Sequence, residues 1–166
     1  MDAIDISLKM ETDAVEFYTK AADRTDHPVG KKMFLSIADD ERRHIDMLNA
    51  LLKGMHLSHK DVNPMAEIRT VFQQMKDQMQ QQVRATTDEI EALTMAMRME
   101  QESYDYYAKM SREAPDPKSR DLFARLVKEE QQHYEIFSNT LSFLTDTGNW
   151  FMWEEHSIVD GGTPWA

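Results

Sequence analysis

Two short segments of this sequence place a carboxylate and an imidazole three residues apart: Glu41 with His44 in DDERRH, and Glu130 with His133 in KEEQQH. On an α-helix, residues three apart rise about 4.5 Å and return to nearly the same face. Each pair can therefore address one point in space. Thirty residues before each Glu-x-x-His stands a further glutamate, Glu11 in METDAVEFY and Glu100 in MEQESYDYY. Both are in phase with apolar neighbours, Leu8 and Val15 for the first, Met97 and Tyr104 for the second. A lone Glu-x-x-His is common by chance. Two copies at the same interval from an in-phase glutamate are a pattern with chemical content.

Four carboxylates converging inside an apolar helical core repel one another and lose their hydration, so some take up protons unless cations are present. Two divalent ions would balance the four negative charges and give each ion one histidine nitrogen. One glutamate from each of two helices plus a Glu-x-x-His from each of two others is the ligand set of di-iron and di-manganese carboxylate bundles. The candidate metal ligands are thus Glu11, Glu41, His44, Glu100, Glu130 and His133, holding two divalent ions per bundle, with iron, manganese or zinc as candidates. Oxygen with imidazole suits iron or manganese better than copper and also admits zinc. A metal-free hydrogen-bonded cluster is the alternative. Tyr18 and Tyr107 follow Glu11 and Glu100 on the same helix face; they either donate hydrogen bonds to the ligand carboxylates or fill the core with the hydroxyl satisfied elsewhere. Glu129 aligns with Asp40 in the repeat and is expected off the inner face, so that Glu129→Ala should leave metal binding intact. His27, His56, His59 and His156 lack partners at ligand spacing and are expected at the surface.

The elements that must carry these residues are long helices. Proline and glycine cluster at Pro28 and Gly30, at Gly54 and Pro64, at Pro115 and Pro117, and at Gly148 and the tail. Between them the pattern predicts helices over about 2–26, 29–53, 87–114 and 117–145, with Thr86 and Glu89 as a capping box for the third. The first two and the last two form antiparallel hairpins. Offsetting the sequence by the interval from Glu41 to Glu130 also pairs Pro28 with Pro117, Phe34 with Phe123 and Ile37 with Leu126. The halves, about 2–53 and 87–145, read as copies of one hairpin.

Residues 54–86 join the halves and contain a helical candidate from Met65, with Ile68, Val71, Phe72 and Met75 on one side. A link of that length can travel the height of a bundle, as in ferritin-like folds. The expected architecture is all-α: a four-helix bundle over 1–145, then a non-helical tail, 146–166, in which Trp150, Phe151 and Trp153 anchor against the bundle or a second subunit.

The 166 residues suffice for one hydrophobic core. The absence of cysteine excludes disulfides, thiolate metal sites and a cysteine nucleophile. A net charge of −11 and a pI near 4.9 disfavour nucleic acid and anionic lipid as partners. Acids near the N-terminus, where a signal peptide needs a basic then an apolar run, point to a soluble cytoplasmic protein. Thirteen methionines, among them Met33, Met47, Met97 and Met110 at helical spacing, read as core packing.

Through METDAVEFY, ADDERRH, MEQESYDYY and VKEEQQH, the sequence resembles the erythrin domain of the rubrerythrin family, within the ferritin-like superfamily, up to about residue 145. The resemblance implies a non-haem di-iron centre, commonly in homodimers, that reduces hydrogen peroxide or dioxygen or oxidises ferrous iron. It assigns the six residues above as ligands. Full-length rubrerythrins carry a rubredoxin domain with paired CxxC motifs; with no cysteine here, electrons are expected from a separate donor in trans. The family's extra glutamate, one turn after the third-helix ligand, is replaced by Ser103, whose repeat mate is Ala14. The symmetric six-ligand set is closer to a bacterioferritin ferroxidase centre. The leading expectation is an oxidoreductase, with a non-catalytic iron storage or delivery protein second and a metal-free scaffold third.

Overall fold

The structure, a computed structural model, describes residues 2–54, 63–75 and 83–150. Four long helices form the bundle: α1 (Ala3–Arg24), α2 (Pro28–Leu52), α4 (Thr87–Glu113) and α5 (Pro117–Thr147), with a shorter α3 (Pro64–Met75) in the link. The protein has the all-α, ferritin-like architecture expected. Capping chemistry sets the ends. Asp2 accepts from the backbone N–H groups of Ile4 and Asp5, both at 2.9 Å, and Thr86 with Glu89 forms the predicted capping box. Pro28 and Pro117 open α2 and α5, where the missing N–H costs nothing. Gly148 stops α5 in the left-handed conformation, φ 71°, so the helix runs two residues past the expected end.

Within the link, α3 is the helix expected near Met65, and it packs against α2 and α5 with Ile68 buried. Two-residue strands, β1 (Val83–Arg84) and β2 (Asn149–Trp150), pair antiparallel and tie the start of α4 to the chain leaving α5. Residues 76–82, the tail residues Phe151 and Trp153, His56, His59 and His156 lie outside the described residues, as do the side chains of Val71, Phe72, Met75 and Trp150. Among the described residues, no helix is long and apolar enough to cross a membrane.

Two buried apolar clusters fill the bundle, one toward each end. In one, Tyr18 stacks on Phe34 at a centroid distance of 6.4 Å, with Phe137 against both. In the other, the repeat mates Tyr107 and Phe123 stack at 5.7 Å beside Leu48, the mate of Phe137. Met33 and Met47 are buried, and Met97 and Met110 pack half-buried against the clusters, as expected of core methionines. Between the clusters, at mid-height, lie the acidic residues of the repeat.

The matched positions give the first prediction. Phe34→Ala and Phe123→Ala should each destabilise the protein by about 3–5 kcal/mol, the usual range for an emptied aromatic core site. The two losses, read from urea unfolding, should agree within about 1 kcal/mol if the clusters are equivalent.

Candidate metal centre

Each bundle helix delivers its part of the repeat to one volume. Glu11 comes from α1, Glu41 and His44 from α2, Glu100 from α4, and Glu130 and His133 from α5. All six are at most 2 % exposed. Their ligand atoms fall into two overlapping sets, each with its members within 4.8 Å of one another: Glu11, Glu41, His44 and Glu130, and Glu41, Glu100, Glu130 and His133. Glu41 and Glu130 belong to both. His44 Nδ1 is 2.8 Å from Glu41 Oε2 and 3.2 Å from Glu130 Oε1; His133 Nδ1 is 3.2 Å from Glu41 Oε1 and 3.5 Å from Glu100 Oε2. The imidazole rings lie 5.9 Å apart, nearly parallel.

Both oxygens of Glu41, Glu100 Oε2, Glu130 Oε1 and both Nδ1 atoms are buried without a hydrogen-bond partner. Unsatisfied buried polar atoms are expensive. These six are carboxylate and imidazole atoms of the inward residues, which a pair of divalent cations would satisfy; Arg43 Nη1 and Gln132 Oε1 are also buried without a partner. The donor set therefore fits a di-metal group.

The surrounding contacts cross between the halves. Tyr18 on α1 donates to Glu100 on α4, and Tyr107 on α4 donates to Glu11 on α1. Of the two roles left open by the sequence, the tyrosines take the first: Tyr18 engages Glu100 Oε1 and leaves Oε2 facing His133, while Tyr107 engages Glu11 Oε1, the oxygen 3.5 Å from His44 Nδ1. His44 Nε2 is 3.0 Å from Glu129 Oε2, and His133 Nε2 is 3.2 Å from Asp40 Oδ2. A carboxylate at Nε2 draws the ring proton there and leaves the Nδ1 lone pair aimed inward. Arg43 Nη2 bridges the two acids, 2.6 Å from Glu129 and 2.9 Å from Asp40.

Two expectations are thereby corrected. Glu129 is buried, 5 % exposed, and not off the inner face; Asp40 is likewise buried at 4 %. One residue before a ligand, the side chain turns about 100° from the centre, but that direction meets the opposite helix instead of solvent. Acid at both repeat positions was the available signal. His27 is also buried: it caps α2, its Nδ1 accepting from the Val29 N–H at 3.2 Å. Its ring is a capping group near Glu89, which accepts from the Asp26 N–H and binds the α1–α2 turn to the start of α4.

Electrostatics separates Glu41 from Glu11 and Glu130. Burial, with Glu41 nearby, pushes Glu11 up to about 8. Burial together with Glu41, Glu11 and Glu100 holds Glu130 well above the usual carboxylate range. Burial also acts on Glu41, yet His133 and His44 outweigh it and hold that group well below the range. Both imidazoles are raised, because Glu11 and Glu41 for His44, and Glu41 and Glu100 for His133, overcome desolvation. Glu129 is lowered to about 2 as His44 and Arg43 overcome burial. Without metal the cluster stores protons.

Residues 2–141 match the rubrerythrin family profile. A solved structure of a hypothetical protein from Pyrococcus furiosus superimposes with a TM-score of 0.66 at 18 % identity, covering 92 % of each chain, which places the two in one fold. No curated protein matches the chain. Family profile and buried cluster together support a metal-binding, ferritin-like protein with a di-metal site.

Two predictions rest on this geometry. Glu129→Ala and Asp40→Ala should each weaken metal binding by about 10–100-fold, the usual effect of removing the acid behind a ligating histidine. Glu129→Gln, which keeps an acceptor oxygen, should lose less; competition with a chromophoric chelator measures both. The second concerns pH in the presence of chelator. Glu11, Glu130, His44 and His133 have folded-state pKa values above their unfolded ones. Their contribution to stability is complete below the unfolded values and is lost as pH rises through the folded ones. Glu41, shifted down, is ionised in both states above about pH 6 and adds no slope there. The melting temperature of the metal-free protein should therefore fall between pH 6 and pH 8, and added divalent metal should abolish that fall.

Proposed function

From a chain that belongs to the rubrerythrin family, we propose a di-iron oxidoreductase that reduces hydrogen peroxide or dioxygen, with electrons resupplied by a separate donor. The observation that carries this reading is the convergence of six buried residues, five of which present atoms without a hydrogen-bond partner. Glu11 and His44 would hold one ion, Glu100 and His133 the other, with Glu41 and Glu130 shared. When bound, an iron pair supplies one electron from each ion to the oxidant.

The remaining work falls to the chain. Glu129 and Asp40 fix the imidazole rotamers and tautomers, so that Nδ1 faces the centre without a rearrangement. Tyr18 and Tyr107 hold Glu100 and Glu11 by one oxygen each, which limits carboxylate rotation. The stacked apolar clusters above and below exclude bulk water.

A second reading, iron binding for storage or delivery with little turnover, is favoured by Ser103. It stands where the family's additional glutamate is expected and leaves the six-ligand set symmetric. Manganese or zinc would fit the same donors.

Anaerobic loading with ferrous iron, followed by peroxide and a reductant, tests the proposal. Repeated peroxide consumption at about two iron ions per chain supports the oxidoreductase. A single stoichiometric oxidation without cycling supports storage, and uptake of well under one metal ion per chain contradicts both.

A further inference from the structure

The two faces of the bundle beside the centre differ. On the α2–α5 side, Asp40, Arg43 and Glu129 form a hydrogen-bonded plug directly behind the histidines. On the α1–α4 side there is a cavity of about 100 Å³, and Glu41, Glu100 and Tyr18 form its inner wall. The rest of its lining consists of repeat mates. Met10 and Met99, Asp13 and Glu102, and Ala14 and Ser103 all line the same cavity. Both halves thus wall the opening, and of the six inward residues Glu41 and Glu100 line it.

Chemistry is graded along the cavity. Asp13 and Glu102 are exposed at the rim, Met10 and Met99 are half-buried, and Ala14 and Ser103 are small buried wall residues. At the inner end are the orphaned oxygens of Glu41 and Glu100, belonging to residues at least 98 % buried. Oxygen donors at both ends, thioethers between them and little steric bulk suit a partly dehydrated divalent cation. Lys9 holds Asp13 in an exposed ion pair at 2.5 Å, an interaction weak enough to be displaced.

We propose that the α1–α4 cavity is the entry route for divalent metal, with Asp13 and Glu102 as the rim carboxylates that capture the cation and pass it to Glu41 and Glu100. This rests on the six-residue cluster being a metal centre, as argued above. The rim acids act on the rate of capture by concentrating cations at the mouth, an effect that screening by salt reduces. They are not ligands in the filled site.

The test is stopped-flow loading of chelator-treated protein with Co²⁺, followed by its visible absorption, with final stoichiometry by elemental analysis. Asp13→Asn combined with Glu102→Gln should slow loading about 10-fold at low ionic strength, the lower end of electrostatic steering effects, with unchanged final stoichiometry and a weaker salt dependence. Lys9→Gln should accelerate loading. Ser103→Leu, which fills the wall, should slow it at all ionic strengths, with circular dichroism checking the fold. Wild-type rates in the rim double variant, at full stoichiometry, overturn the route while leaving the centre standing. A wild-type protein that takes up no Co²⁺ overturns the metal centre and the route together.

Discussion

Four glutamate carboxylates share one buried volume at the middle of this bundle, and the fold is organised around making that tolerable. Burying a single unpaired carboxylate is already unfavourable by several kcal/mol. Four together are stable only if protons or cations neutralise them. In the absence of metal the protein uses protons: Glu11 and Glu130 are raised, and the two imidazoles are poised to carry positive charge beside Glu41. Two divalent ions accomplish the same neutralisation with the ligand atoms that have no other partner. Folding and metal binding are thereby linked through one electrostatic constraint.

The constraint is met by exchange between the two copies of the hairpin. Within each copy the Glu-x-x-His supplies ligands, but the groups that hold those ligands come from the other copy. Tyr18 steadies Glu100 and Tyr107 steadies Glu11; Glu129 holds His44 and Asp40 holds His133. Neither hairpin alone contains a supported site. Two arginines break the symmetry: Arg43, whose repeat mate is Gln132, bridges Asp40 and Glu129, and Arg125, whose repeat mate is Ser36, adds a contact to Glu129. Through that asymmetry the two histidines have different environments behind them.

The helices were legible because their termini carry strong local chemistry: the Thr86–Glu89 capping box, prolines at Pro28 and Pro117, and glycine at Gly148. The six inward residues were legible because a helical period combined with an exact internal repeat fixes which face each occupies. What the sequence concealed lies one residue off that face. Asp40 and Glu129 carry the polarity of surface residues, and only the approach of the opposing helix reveals that their side chains are buried against a histidine. His27 was hidden for a similar reason: a loop position reads as exposed, whereas the cap packs beneath the start of α4. The cavity between α1 and α4 depends on distances between helices, which periodicity does not encode.

Diffraction from crystals of the iron-loaded protein, recorded on both sides of the iron absorption edge, tests the central claim most directly. The account predicts two anomalous peaks at mid-bundle, one bonded to His44 Nδ1 and the other to His133 Nδ1, with Glu41 and Glu130 between them. Peaks confined to the acidic surface, or a fully loaded crystal whose six inward side chains bind no ion, would contradict it.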